Sequence, residues 1–374
     1  AASDVYKRQD YYQIDPSFGT TEDLKELVQK AHERGMKVVL DAVYNHTGRE
    51  FFAFADILEN GEKSKYRDWY FIDGFPLKSE WGEIPNFKCF GYYGGMPKLN
   101  LKNPEVEKYI TDVACYWIKE CDIDGWRLDV GDEISHFFWK NFRKAVKAVK
   151  KDMLIIGEIW HYAGDFLEGD EWDTVMNYPF YLNLIDLLAD EKITVSQFVQ
   201  NLGYLKGRLH KNCYPLMWNL IDSHDTARFL HLCNDNKKKQ HLAAAFQLLL
   251  PGMPMIYYGD EYAMPGANDP DCRRGMYWDE EYQDKEMYEW YKRLIQVRKS
   301  HACIVEGELA GSVTEDEEGT IVLIRKNGEE TIAMIFNCSS SAKKFNEYTQ
   351  KYNLLTENTF DGNVEGFDAA VIVL

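Results

Sequence analysis

The decapeptide "CDIDGWRLDV", residues 121–130, sets Arg127 and Asp129 into an apolar run made by Ile123, Trp126, Leu128 and Val130. Side chains alternate faces along a strand. A strand here therefore carries Arg127 and Asp129 on one side, and Trp126, Leu128 and Val130 on the other. A charge taken out of water is costly unless it is paired or performs chemistry. One such strand alone is explained by a structural Arg–Asp pair, so the segments around it must decide.

Working outward, a helix from about Pro104 to Cys121 leads into the strand. Further upstream, "TTEDLKELVQKAHERG" (20–35) predicts a helix capped by Thr20 or Thr21. Leu24, Leu27, Val28 and Ala31 share one of its faces, and Gly35 closes it. "MKVVLDAVYN" (36–45) follows as a buried strand. Residues 46–103 form a long irregular insertion rich in aromatics and glycine, and such insertions in compact domains are usually functional. Downstream come a helix over 136–150, the strand "MLIIGEIW" (153–160), a weaker strand in "WDTVMNYPF" (172–180) and helical 181–210. Then follow the strand "LMWNLIDSHD" (216–225), the helix "QHLAAAFQLLL" (240–250), the strand "MPMIYYGDE" (253–261) and a helix over 283–300. From about 303, short runs such as "TIVLIRKNG" and "ETIAMIFNC" predict a separate small all-β domain, 303–374. Six strands in repeated βα units imply an α/β fold with a parallel sheet, either doubly wound or a (β/α)8 TIM barrel. No G-x-G-x-x-G follows a strand and no Walker motif occurs, so the nucleotide-binding version lacks its signature.

Composition narrows the partners. The 374 residues are 45% hydrophobic and 28% charged, with a net charge of −18, which argues against a nucleic-acid backbone as ligand. The longest apolar region is broken by Gln247, Pro251 and Pro254, so no membrane span is expected. Eight cysteines without a C-x-x-C pair suit reduced thiols in the cytoplasm better than a disulfide framework or a zinc site. The 24 Tyr, 20 Phe and 10 Trp supply flat apolar rings, useful in a core and against the C–H faces of sugars.

Barrel enzymes carry their catalytic residues at the C-terminal ends of strands. Here those ends read "DAVYNH" (41–46), "GWRLDV" (125–130), "GEIWH" (157–161) and "DSHD" (222–225). Each interrupts an apolar run with carboxylates, histidine or arginine. One such ending is a satisfied ion; four on one face of a sheet are a site. In this order they resemble the α-amylase superfamily of glycoside hydrolases. "MPKLN" (96–100), "GMPMIYYGDE" (252–261) and "NDPDCRRGMYW" (268–278) resemble further segments of its neopullulanase, cyclomaltodextrinase and maltogenic amylase group, from about Asp10 into the β-rich tail.

The resemblance implies a retaining α-glycosidase that cleaves α-1,4-glucosidic bonds of maltodextrins, cyclodextrins or pullulan. Asp129 falls at the nucleophile, Glu158 at the general acid/base and Asp225 at the third carboxylate. Arg127 would keep Asp129 ionised, and Glu158 would be kept protonated by burial and neighbouring carboxylates. Retaining glycosidases hold nucleophile and acid about 5–5.5 Å apart, the separation expected for Asp129 and Glu158. For substrate binding the resemblance implies Tyr11, His46 and His224 at the sugar undergoing cleavage. It adds Asp269 and Arg273 on its non-reducing side, and Trp160 and His161 on the acceptor side. Asp41 and Asn45 would hold the site together. No metal or other cofactor is assigned; the group's calcium ligands would lie N-terminal to this match. Residues 1–9 read as a foreign start and 10–302 as a partial (β/α) barrel whose first two strands are missing, with 46–103 as its inserted subdomain. A homodimer is expected of the full-length protein. An α-glucosidase or transglucosylase is the alternative activity, with "MPKLN" as the discriminating segment; an inactive truncated relative is another. A metal-dependent barrel hydrolase would need paired histidine ligands, and neither H-x-H nor H-E-x-x-H occurs.

Overall fold

The structure, a computed structural model, describes residues 10–78 and 84–374. The expected foreign start and residues 79–83 of the insertion lie outside the described residues. Two compact units emerge, one running to Ile159 and including Ala163–Val175, the other made of Trp160–Tyr162 and Met176–Leu374.

The first unit is built on a parallel sheet in sequential order, β1 (Val39–Ala42), β2 (Gly125–Leu128), β3 (Leu154–Gly157) and β4 (Thr174–Val175). Its helices are α1 (Thr21–His32), α2 (Phe52–Asn60), α3 (Pro104–Cys121) and α4 (His136–Val149). Local chemistry sets their ends. The Thr20 hydroxyl accepts from the Asp23 N–H while the Asp23 carboxylate accepts from the Thr20 N–H, a reciprocal cap on α1. Asn103 caps α3 with Pro104 in its first turn, and Asp122 ends it in the left-handed region (φ 55°). Val106, Ile110, Val113, Ala114, Trp117, Ile118 and Cys121 form the buried face of α3, at helical spacing. The insertion is less irregular than its composition suggests. Beyond α2, isolated bridges His46↔Lys98, Tyr70↔Leu99, Ile72↔Phe87 and Cys89↔Pro97 fold it back on itself.

Asp124 ties this unit together just before β2. Its carboxylate accepts from the Val38 N–H (2.9 Å) and pairs with His32 (2.7 Å), Lys37 (3.2 Å) and Lys150 (3.0 Å). Burial pushes the carboxyl up, but the Val38 N–H and the His32, Lys150 and Lys37 partners outweigh it and hold it well below the usual range. Its contribution is therefore present above the unfolded carboxylate pKa of about 4 and is lost as pH falls below it. Asp124→Asn is expected to cost about 2–3 kcal/mol at pH 7 and progressively less toward pH 3, read from urea unfolding at both pH values.

The second unit opens with α5 (Tyr178–Leu184), a π-helical turn (Ile185–Ala189) and α6 (Val195–Arg208). Parallel β5 (Trp218–Leu220) and β6 (Met253–Met255) follow, separated by α7 (Phe229–Leu232) and α8 (Lys237–Leu249), then α9 (Lys285–Ser300) and α10 (Ala302–Glu306). Residues 242–249 of α8 are all buried, so this helix is enclosed on every side.

The tail supplies β7 (Glu308–Glu315), β8 (Thr320–Asn327), β9 (Glu330–Asn337), β10 (Lys343–Lys344), β11 (Tyr352–Asn353), β12 (Asn358–Thr359), β13 (Asn363–Val364) and β14 (Asp368–Val373). They form a six-stranded antiparallel sheet, β12-β11-β14-β9-β8-β7, and a two-stranded β10-β13 sheet. Alternation along β8 buries both faces. Ile321 and Leu323 join a core with α8 and α9 residues Phe246, Leu249, Met287 and Leu294. Val322 joins a second core with Phe345, Phe360 and Val364.

All six expected βα strands are present, though shorter than their apolar runs. The strand read over 121–130 covers 125–128, because Val130 turns left-handed (φ 47°). The continuous helix read over 181–210 is two helices. Glu191 is left-handed (φ 52°) between them, and Thr194 with Gln197 starts α6 with its own reciprocal cap. Among the described residues no helix is long and apolar enough to cross a membrane.

Candidate active site

In the first unit, parallel register puts Asp41 beside Arg127 and Leu128 beside Gly157, so the tips of β1, β2 and β3 align. Arg127 is the hub. Its Nη1 bonds Asp41 Oδ1 (2.8 Å) and Asp129 Oδ1 (3.0 Å), and its Nη2 meets Glu158 Oε1 (2.8 Å). Burial lowers the guanidinium's hold on its proton, but Asp41, Glu158 and Asp129 more than reverse this, so Arg127 stays charged throughout the accessible pH range. The two-residue spacing read from the sequence thus places Arg127 against Asp129 on one face, as expected. The contact of the same guanidinium with Glu158 had no sequence signal, because it joins neighbouring strands.

Backbone geometry fixes the two carboxylates. Asp129 N–H donates to Ala42 C=O (3.1 Å) and Glu158 N–H to Leu128 C=O (3.0 Å), extending the ladder past the strand ends. Val130, a β-branched residue in left-handed backbone, is strained by of order 1–3 kcal/mol. The turn it makes aims its N–H at Glu158 Oε2 (3.0 Å). Glu158 is buried. Arg127 and the Val130 N–H both engage its carboxyl, contacts the sequence reading did not foresee.

Tyr11 donates its hydroxyl to the carbonyls of Val43 (2.9 Å) or His46 (3.0 Å) and meets Phe51 edge-on. His46 is buried and stacks on Phe90 of the insertion (5.2 Å between centroids, 4° between planes). Asn45 sits in a polar knot. Its Oδ1 accepts from Lys98 (2.7 Å), its Nδ2 donates to Glu133 (3.1 Å), and Lys98 pairs with Glu133 (2.6 Å). Lys98 and Glu133 were not singled out from the sequence. The first lies inside "MPKLN" and the second four residues after Asp129, and only folding unites them.

Beneath the tips lies the Trp172 indole, stacked on Phe166 at 4.0 Å. A Cβ on Gly157 would run into the indole ring, and one on Gly131 would come within 2.8 Å of it. Gly157→Ala is therefore expected to cost about 1–3 kcal/mol by overpacking and to displace Glu158 next to it. A fall in Tm together with reduced turnover is the expected measurement.

In the second unit, Trp160 is partly exposed and stacks on Tyr178 (4.1 Å, 13°), and His161 Nδ1 lies 3.2 Å from the Tyr162 carbonyl. Asp225 is held from two sides, by His224 Nε2 (3.3 Å) and Arg273 Nη2 (3.0 Å). Arg273 Nε in turn meets Asp269 Oδ1 (2.8 Å). Asp225, His224, Asp269 and Arg273 therefore form one connected set, drawn from the "DSHD" and "NDPDCRRGMYW" segments. Among the described residues no group of three or more His, Cys, Asp or Glu side chains gathers as a metal ligand set.

These strand-tip clusters are set on parallel βα units followed by antiparallel sheets, and the comparisons with known proteins agree in kind. The profile of the alpha amylase catalytic domain matches residues 2–283, and the chain belongs to that family, a family of glycoside hydrolases. Its fold is of the expected class: the six parallel βα strands and the antiparallel C-terminal sheet fit a TIM barrel with a C-terminal β-sandwich. The chain is similar to the cyclomaltodextrinase of Geobacillus thermopakistaniensis, 47% identical over 337 residues, covering 90% of this chain and 57% of the relative. It is also similar to neopullulanase 2 of Thermoactinomyces vulgaris, 42% identical over 333 residues, covering 89% and 56%. Among solved structures, a cyclomaltodextrinase superposes with a TM-score of 0.93 at 38% identity, covering 98% of this chain and 65% of that one. The cyclic alpha-maltosyl-(1→6)-maltose hydrolase of Arthrobacter globiformis, in complex with that sugar, gives 0.89 at 33% identity, covering 98% and 81%. The chain thus spans rather less than two thirds of the curated relatives it matches.

Proposed function

We propose that this chain carries the catalytic residues of a retaining glycosidase that hydrolyses α-1,4-glucosidic bonds of maltodextrins, cyclodextrins or pullulan. One observation supports this above the others: Asp129 and Glu158, from adjacent strand tips, share the single guanidinium of Arg127. In this reading Asp129 attacks the anomeric carbon while Glu158 protonates the departing glycosidic oxygen, giving a glycosyl-enzyme. Glu158 then takes a proton from water, which releases the sugar with its configuration retained. Asp225 is the third carboxylate, stabilising the oxocarbenium-like transition state.

His46, His224 and Tyr11 are proposed to contact the sugar being cleaved. Asp269 and Arg273 would hold its non-reducing neighbour, and Trp160 and His161 the acceptor side. Asp41 and Asn45 keep the site in shape. The named activities of the relatives favour cyclic and linear α-glucans as ligands. A cytoplasmic location is supported by eight cysteines that form no disulfide and by similarity to an intracellular maltogenic amylase of Bacillus subtilis. A homodimer of the longer protein belongs to the same proposal.

The test is the anomer first released from β-cyclodextrin, pullulan and maltotriose, followed by proton NMR. The α-anomer is expected; initial release of the β-anomer would overturn the double displacement.

A further inference from the structure

Behind Asp225 lies a charged cluster that the reading above does not use. Asp222, Arg228 and Asp260 are 1%, 0% and 0% exposed. The Asp260 carboxylate takes Arg228 Nη1 (2.9 Å) and the Tyr257 N–H (3.2 Å), and Asp222 Oδ1 accepts from the Phe229 N–H. Asp222 Oδ2 is buried with no hydrogen-bond donor among the described residues, and the Asp260 carboxyl is the acidic group that acts on it most strongly. Two buried carboxylates against one guanidinium leave an uncompensated charge, which costs several kcal/mol. A single proton between them balances the charge and gives the orphaned oxygen its partner.

Among the described residues, Glu261, Tyr181, Tyr291 and Cys233 are further titratable groups that act on the pair, and none of these four adds a positive charge. Burial first, and the neighbouring carboxyl second, push Asp222 well above the usual carboxylate range. Burial likewise lifts Asp260 to about 6. Arg228 passes this order on. Its Nη1 bonds the Tyr258 carbonyl (2.8 Å), its Nε the Cys272 carbonyl (3.2 Å), and its backbone N–H the Gly266 carbonyl (2.9 Å). Cys272 adjoins Arg273, whose guanidinium holds Asp225.

We propose that Asp222 and Asp260 share one proton and, through Arg228, act as positioning residues that hold the 266–274 segment so that Arg273 meets Asp225. The catalytic part of this inference rests on the glycosidase reading; the proton and the held segment do not. In the intact protein near pH 7.5, infrared difference spectra should show the carbonyl stretch of a buried protonated carboxyl. That band should be absent in Asp222→Asn, whose amide donates in place of the proton. Amide hydrogen exchange over 266–274 should be about tenfold faster in Asp222→Ala than in the wild type or Asp222→Asn. The Ala variant alone should lose about tenfold in kcat/KM, mainly through KM.

Absence of the band from the wild type, or its survival in Asp222→Asn, overturns the shared proton even where Asp222→Ala does not fold. Unchanged exchange in a folded Asp222→Ala overturns the positioning role. Hydrolysis missing from the wild type, with band and exchange as expected, counts against the glycosidase reading and not against this one.

Discussion

Asp129→Asn is expected to reduce turnover of β-cyclodextrin by about 10⁴-fold or more while the chain stays folded. The amide has nearly the shape of the carboxylate but cannot form the glycosyl-enzyme, so the loss falls on kcat. Asp129 is part-buried and shares Arg127 Nη1 with Asp41, so the substitution leaves the guanidinium with Asp41 and Glu158. A near-normal far-UV spectrum and Tm, with turnover at background, are the expected pair of measurements. Full turnover in the folded variant would remove Asp129 from the nucleophile's role.

Arg127→Met is expected to damage stability and chemistry together. It removes the cation that bridges Asp41, Asp129 and Glu158, and its own side chain is only 12% exposed. Stripping the partner from a largely buried charge pair costs about 3–5 kcal/mol, here read from urea unfolding at pH 7. Burial opposes charge on Arg127, but the three acids outweigh it and raise its proton affinity above the unfolded value. Arginine therefore contributes at every pH below that unfolded value. Arg127→Lys should recover part of the stability and little of the activity, since an ammonium cannot present two parallel donors to separate carboxylates.

Much of this was legible in the residues. The period-two spacing of Arg127 and Asp129, the Thr20 cap and the apolar stripe of α3 all act over a few residues, and the structure follows each. Interactions that cross the sheet or join distant loops left no local trace. Examples are the Lys98–Asn45–Glu133 knot and the Trp172 indole that forbids a side chain on Gly157. Composition also misled in places. "CDIDGWRLDV" looks like one strand because its apolar residues continue to Val130, but the turn that aims the Val130 N–H at Glu158 ends the pleat first. The helical run over 181–210 hid a fresh start, although Thr194 and Gln197 show the cap once it is sought.

The two-sided burial of β8 bears on protein engineering. Ile321 and Leu323 cover α8 and α9 directly, so the C-terminal strands act as a wall of the helices' own interior rather than an appendage. A chimaera joined near residue 302, or a nick there that releases the tail, would leave Phe246 and Leu249 facing solvent. For shuffling with relatives, Met176–Leu374 should travel as one exchangeable block.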